Sequence, residues 1–95
     1  MKIDIGYFPK VEGKLEEERK AAESVADSLL KRATKKKVTV LSSGAVKRGI
    51  DLNAWYEGIL SIETENLNVL VDLVDELSKR LRQGTFRGVG INVSE

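Results

Sequence analysis

The chain contains no cysteine and no histidine. Without cysteine there are no disulfide staples, no thiolate nucleophile and no thiolate metal ligands. Without histidine there is no imidazole to serve as general base or as the commonest zinc ligand. Serine hydrolases built on a histidine, cysteine proteases and most transition-metal enzymes therefore drop out together, and no metal or cofactor is expected. Proline occurs once, at Pro9, and Trp55 is the only tryptophan. No apolar run approaches the roughly 18 residues of a membrane span. The first residues enter a strand pattern containing Asp4, unlike a signal peptide, so a cytoplasmic protein without a membrane partner is expected.

What is present describes an ordinary globular protein. Of 95 residues, 41% are hydrophobic and 33% charged, enough for one core and one domain spanning residues 1–95. The formal net charge of +1 argues against nucleic-acid binding by bulk charge, although local basic patches survive that average.

Apolar periodicity changes along the chain in an informative order. Lys2 to Phe8 alternates as a strand, with Ile3, Ile5 and Tyr7 on one face. Pro9 should end it, and Lys10 to Lys14 should turn into a helix over Leu15 to Ala33. On that helix Leu15, Ala22, Val25, Ala26, Leu29 and Ala33 form one stripe. Glu16, Glu17 and Glu18 open it and Lys31 and Arg32 close it, which suits the helix dipole and reads as stabilisation on a solvated face. A short strand over Val38 to Leu41 follows, with Val38 and Val40 inward. Ser42 to Asn53 then reads as a long irregular connection, with a helical turn possible at Ala45 to Arg48; connections this long tend to carry function. Ala54 to Thr64 is the longest strand and should be central. Asn66 is a fitting N-cap for a second helix, in competition with Thr64. Its apolar stripe reads as Leu67, Leu70, Val71, Val74, Leu77 and Leu81, with Asp72, Asp75 and Glu76 outward. Val89, Ile91 and Val93 alternate along a last strand from Gly88.

The order is βαββαβ, that of an α+β, ferredoxin-like domain with a four-stranded antiparallel sheet and two helices on one face. The usual strand order of this fold, 4-1-3-2, would place Asp4 and Gly6 beside Glu57 and Ile59 at the centre of the open face. By alternation that face also carries Phe8, Leu41 and Trp55. The favoured functional reading is a small non-enzymatic interaction or assembly module, in the manner of a phage or mobile-element inhibitor, docking through this face or a strand edge. Its contact residues would be Asp4, Phe8, Leu41, Trp55, Glu57 and Ile59, with a partner protein or a second copy as occupant. Trp55 would be the anchor, unless it merely covers the sheet end beneath the Ser42–Asn53 connection.

Two alternatives come from other classes. The element order resembles that of RNA-recognition motifs, but aromatic stacking positions and the basic-glycine-aromatic signature are missing, and Asp4 and Glu57 would repel phosphate. Nucleic acid would instead meet the basic clusters near the helix C-termini: Lys31, Arg32, Lys35, Lys36 and Lys37, and Lys79, Arg80 and Arg82. The order is also similar to that of ACT-type regulatory domains, which implies an amino-acid ligand near the turn from Tyr7 to Lys14, where Gly13 permits close approach. One local segment, Leu41-Ser42-Ser43-Gly44-Ala45-Val46, resembles the Ser-Ser-Gly-Ala-Val run of the glutamate 5-kinase family. The rest of that kinase cannot fit in this length, so what the resemblance implies here is at most an anion on amides near Gly44 with Lys47 and Arg48.

Overall fold

The computed structural model describes residues 1–9 and 15–95 and has the ferredoxin-like architecture expected of the sequence. Its elements are β1 (Lys2–Pro9), α1 (Leu15–Ala33), β2 (Thr39–Arg48), a single 3-10 turn (Asp51–Asn53), β3 (Trp55–Glu63), α2 (Leu67–Arg82) and β4 (Phe86–Ser94). All strand pairs are antiparallel, in the order β2-β3-β1-β4, so β3 and β1 are central and β2 and β4 are the edges. The turn over Lys10 to Lys14, and with it the ligand position drawn from the ACT-type order, lies outside the described residues.

The core forms where the stripe of α1 meets the inward residues of the central strands. Ile3, Ile5, Tyr7, Leu60 and Ile62 are buried from the sheet, and Ala22, Ala26, Leu29 and Ala33 from α1. Three of those four helical residues are alanines, so the helix axis comes close to the sheet. The Tyr7 hydroxyl accordingly reaches the Ala22 carbonyl and donates a 2.7 Å hydrogen bond to it. Burial pushes the Tyr7 phenol well above its ordinary range, so it stays a neutral donor. The ring needs Gly58 opposite it, because a Cβ at that position would overlap the ring itself. Phe86, which the alternation of the last strand did not include, is buried at the start of β4 and stacks on Tyr7 with ring centroids 5.2 Å apart.

Three expectations about the elements need correction. Ser42 to Arg48 is not a loop but the second half of a ten-residue β2, paired with β3 as far as Arg48 and Trp55. Its register shifts between Val40 and Ser42, leaving Leu41 as an extra residue in a bulge. Gly44, at φ 133°, continues the strand beyond it. Only Gly49 to Ala54 connects β2 to β3. Second, Val40 is 40% exposed and Ile91 and Val93 are similarly open, because these positions on the edge strands lie beyond the cover of the helices, unlike Phe86 at the start of β4. Third, α2 buries Val69, Leu73 and Leu77, while Leu67, Val71, Val74 and Leu81 are exposed. Its true stripe is rotated by about a quarter of a turn from the expected one.

The N-cap of α2 is Asn66, whose side chain accepts from the Asn68 amide at 2.9 Å. Thr64 is used alongside it. Its buried hydroxyl donates to the Lys37 carbonyl at 3.1 Å and accepts from the Asn66 amide at 3.1 Å.

Candidate functional site

At one end of the sheet β1 finishes, β3 and β4 begin, and α1 makes its first turn. Side chains from all four meet there around a cleft of about 490 Å³ lined by Phe8, Glu18, Asn53, Ala54, Trp55 and Arg87. Phe8, Ala54 and Trp55 give it apolar and aromatic wall; Asn53, Glu18 and Arg87 give it hydrogen-bonding groups.

Glu18 is the residue that makes this end chemically distinctive. It lies in the first turn of α1, four residues before Ala22 and eight before Ala26, and so on the buried stripe instead of the solvated face. Its side chain is only 15% exposed. One oxygen accepts a 2.6 Å hydrogen bond from the Tyr56 amide, and the other faces the Arg87 guanidinium at 3.7 Å. The Tyr56 amide thereby gains a partner at the very start of β3, and the carboxylate is fixed at the cleft wall. The assignment of all three glutamates to a solvated face therefore fails for Glu18. The signal was the same spacing that identified Ala22, Ala26, Leu29 and Ala33.

Trp55 is placed by the turn before it. Gly49 has φ 72°, and a Cβ there would run into both the Asn53 carbonyl and the Trp55 ring. Only glycine lets the β2–β3 turn close directly on the indole. Trp55 thus stands at the sheet end, paired with Arg48, and one side of it forms cleft wall.

The other sequence-derived positions are distributed more widely. On the open face Asp4 is opposite Ser61 and Gly6 opposite Ile59. Asp4 accepts a 2.5 Å hydrogen bond from the Ser61 hydroxyl and has Lys2 at 3.9 Å. Glu57 accepts from Arg48 at 2.9 Å. The two carboxylates are therefore not cross-strand neighbours, and each has its own partner. Ile59 is half-buried two residues beyond Glu57, opposite Gly6, Leu41 stands apart in the β2 bulge, and Phe8 alone of these lies on both this face and the end cleft.

The Lys47 and Arg48 positions are consecutive on β2 and so point to opposite faces. Gly44 pairs with Ile59 inside the ladder. The three do not converge around a loop. Of the basic residues near the helix C-termini, Arg32 faces Glu76 at 3.3 Å, Arg80 faces Glu76 at 3.0 Å and donates to Ser28 at 2.9 Å, and Lys36 faces Asp72 at 3.5 Å. Asp72 and Glu76 of α2 are turned toward α1, contrary to their expected outward role, and tie the helices together. The side chains of Lys31, Lys35, Lys37, Lys79 and Arg82 are not among these pairs. Among the described residues no group of three Asp, Glu, His or Cys side chains converges on a metal-sized site, and no helix is long and apolar enough to cross a membrane.

No protein-family model matches the chain, and no curated protein does. Among solved structures it is similar to 5-chloro-2-hydroxyhydroquinone dehydrochlorinase (TftG) from Burkholderia phenoliruptrix AC1100, in complex with 2,5-dihydroxybenzoquinone. The identity is 16% and the TM-score 0.51, over 98% of this chain and 93% of that one, so the likeness is one of fold. It nonetheless overturns the functional reading of the chain as a non-enzymatic interaction or assembly module. The architecture is one on which an enzyme has been solved with a small quinone. Trp55 lines the cleft at the sheet end.

Proposed function

We propose that the chain binds a small hydroxylated aromatic ring in the end cleft. The observation that carries the reading is Glu18, a carboxylate on the buried stripe of α1, held at a cleft wall that also contains two aromatic side chains. Burying a carboxylate is costly and demands compensation. The Tyr56 amide and Arg87 supply part of that compensation and leave the carboxylate fixed at the cleft wall.

The division of labour follows from the side chains. Phe8 and Trp55 offer ring faces and edges to a planar ligand, where stacked or edge-on contacts add to simple area burial. Glu18 keeps lone pairs beyond those given to Tyr56 and Arg87 and can accept from a ring hydroxyl. Asn53 supplies both a donor and an acceptor, and Arg87 lies 3.7 Å from the second Glu18 oxygen. The ring bound to the fold neighbour, a dihydroxybenzoquinone, is a planar, oxygenated six-membered ring of similar size, a quinone related to such aromatics by oxidation. The assignment is one of binding, not of turnover. Both oxygens of Glu18 are already engaged, which suits an acceptor better than a base free to take and release protons.

Trp55 is the only tryptophan, so its fluorescence reports on the cleft directly. Titration with 2,5-dihydroxybenzoquinone, hydroquinone and catechol should quench it saturably, with calorimetry giving a matching affinity. Glu18→Gln preserves an acceptor for the Tyr56 amide but loses the charge-assisted bond to the ligand, and should weaken binding about tenfold. No saturable heat with any of the three rings, or equal affinity in Glu18→Gln, would sink the reading.

A further inference from the structure

The two edges of the sheet are built differently. β2 carries a bulge at Leu41 and ends in Lys47 and Arg48, features that discourage pairing with another strand. β4 pairs with β1 without irregularity from Gly88 to Ser94 and holds neither proline nor lysine over that length. Among the described residues its outer edge has no neighbouring strand. On the helix side Ile91 and Val93 are 38% and 44% exposed, although they alternate in step with the buried Ile5 and Ile3 opposite them. That combination is an open pairing edge with an apolar flank.

We propose that two copies of this chain join through β4, antiparallel about a two-fold axis at Ile91, into one continuous sheet. This is a quaternary arrangement, independent of the cleft reading, and does not replace binding with a docking role. The sequence of β4 selects both the occupant and the register. With both helical layers on the same side, directly opposed residues must share a face, so their numbers must sum to an even value. Centred on Gly90, the pairing sets Arg87 against Val93 of the second copy. Centred on Asn92, it leaves Arg87 overhanging and sets Val89 against Glu95. Centred on Ile91, the regular stretch Gly88–Ser94 pairs fully with itself, Val89 facing Val93 and Ile91 facing itself, while Arg87 at the register shift and Glu95 just past the strand meet at the two ends of the seam. Only this register opposes apolar with apolar at all three helix-side positions of that stretch and brings opposite charges together at its ends, twice by symmetry. Arg87 is half-exposed and has donors left beyond its contact with Glu18. A strand from an unrelated protein has no reason to carry this self-complementary pattern.

Light scattering after size exclusion tests it on the full chain. The wild type should elute with twice the mass of one chain and dissociate on dilution. Glu95→Arg replaces two attractive pairs by two repulsive ones and should raise the dimer dissociation constant about tenfold or more. Ser94→Arg, on the opposite face of the same strand, should change it far less. Arg87→Glu combined with Glu95→Arg should bring association back. Ile91→Cys, the sole thiol in the chain, should cross-link to itself with a short bis-maleimide. A monomer at every concentration, an equal effect of Ser94→Arg and Glu95→Arg, or no cross-link at Ile91 overturns the proposal. The Ile91 cross-link and the Ser94/Glu95 pair decide the matter even where Arg87→Glu disturbs the fold by facing Glu18.

Discussion

The two helices lie on the same face of one sheet, yet their sequences disclose that arrangement very unequally. In α1 the apolar residues form one narrow line ending in small side chains, and that line is the one buried. In α2 apolar residues occupy more than half the circumference: Val69, Leu73 and Leu77 on one side, Leu67, Val71, Val74 and Leu81 on the other. A periodicity that wide is satisfied by several rotations about the helix axis. Packing selects among them, and α2 meets mainly α1 and the edge strand β4. The ion pairs help to fix the rotation, since Glu76 and Asp72 face Arg32 and Lys36 and Arg80 reaches Ser28 of α1. An amphipathic pattern names a buried face when the apolar residues are few; when they are many, the polar residues name it.

The largest effect expected from this comparison is at Leu73. It is completely buried on α2, two positions from the exposed Val71. Leu73→Ala should cost about 2–5 kcal/mol, the range for a leucine whose removal leaves a cavity. Urea denaturation followed by circular dichroism measures it. A loss below about 1 kcal/mol would mean that α2 is rotated in solution toward the stripe its sequence first suggests.

An intermediate effect is expected on the α1 side, where approach is close because the helix presents alanine. Gly58→Ala places a methyl group in the Tyr7 ring and must displace it. The displaced ring would lose its hydroxyl bond to the Ala22 carbonyl and its stack on Phe86. Overpacking of this kind costs about 1–3 kcal/mol. Combining Gly58→Ala with Tyr7→Leu, which clears the ring, should recover part of that loss in the same denaturation assay. Additive losses in the double variant would show that the glycine is not there for the tyrosine.

Legibility followed exposure more than element type. The central strands, α1 and the N-cap at Asn66 were readable because each puts its apolar or capping residues in one unambiguous register. β2 was readable only to Leu41. Beyond it the strand runs Ser42-Ser43-Gly44, residues of low strand preference that a paired but exposed edge tolerates. The bulge at Leu41 also breaks the alternation on which recognition depends. Phe86 was hidden for a related reason: the register of β4 shifts near Pro9, so the alternation of Val89, Ile91 and Val93 does not extend back to it. At the cleft, Trp55 and Phe8 could be singled out as uncommon aromatics, but not assigned to an end instead of a face. Glu18 was legible in its spacing and was set aside because three consecutive glutamates suit a helix start so well. Arg87 and Asn53 carry no pattern of their own and come to the site only through the strand and turn boundaries.

The smallest expected effect is also the one whose sign separates the two sides of α2. Val71 is 56% exposed, so little apolar burial is lost when it is shortened. Valine is meanwhile a weaker helix former than alanine, because its branched side chain loses rotamer freedom against the preceding turn. The two terms oppose each other, and at this exposure the propensity term should win. Val71→Ala is expected to be neutral or to stabilise the domain by up to about 0.5 kcal/mol. Val69→Ala, on the buried side of the same turn, should destabilise it by about 1–3 kcal/mol, since both burial and packing are lost. Thermal unfolding of the two variants side by side reads the contrast as melting temperatures moving in opposite directions. Two losses of equal size would place Val71 in a contact that the isolated chain does not make, and the exposed ridge of α2 would then have to be covered in solution.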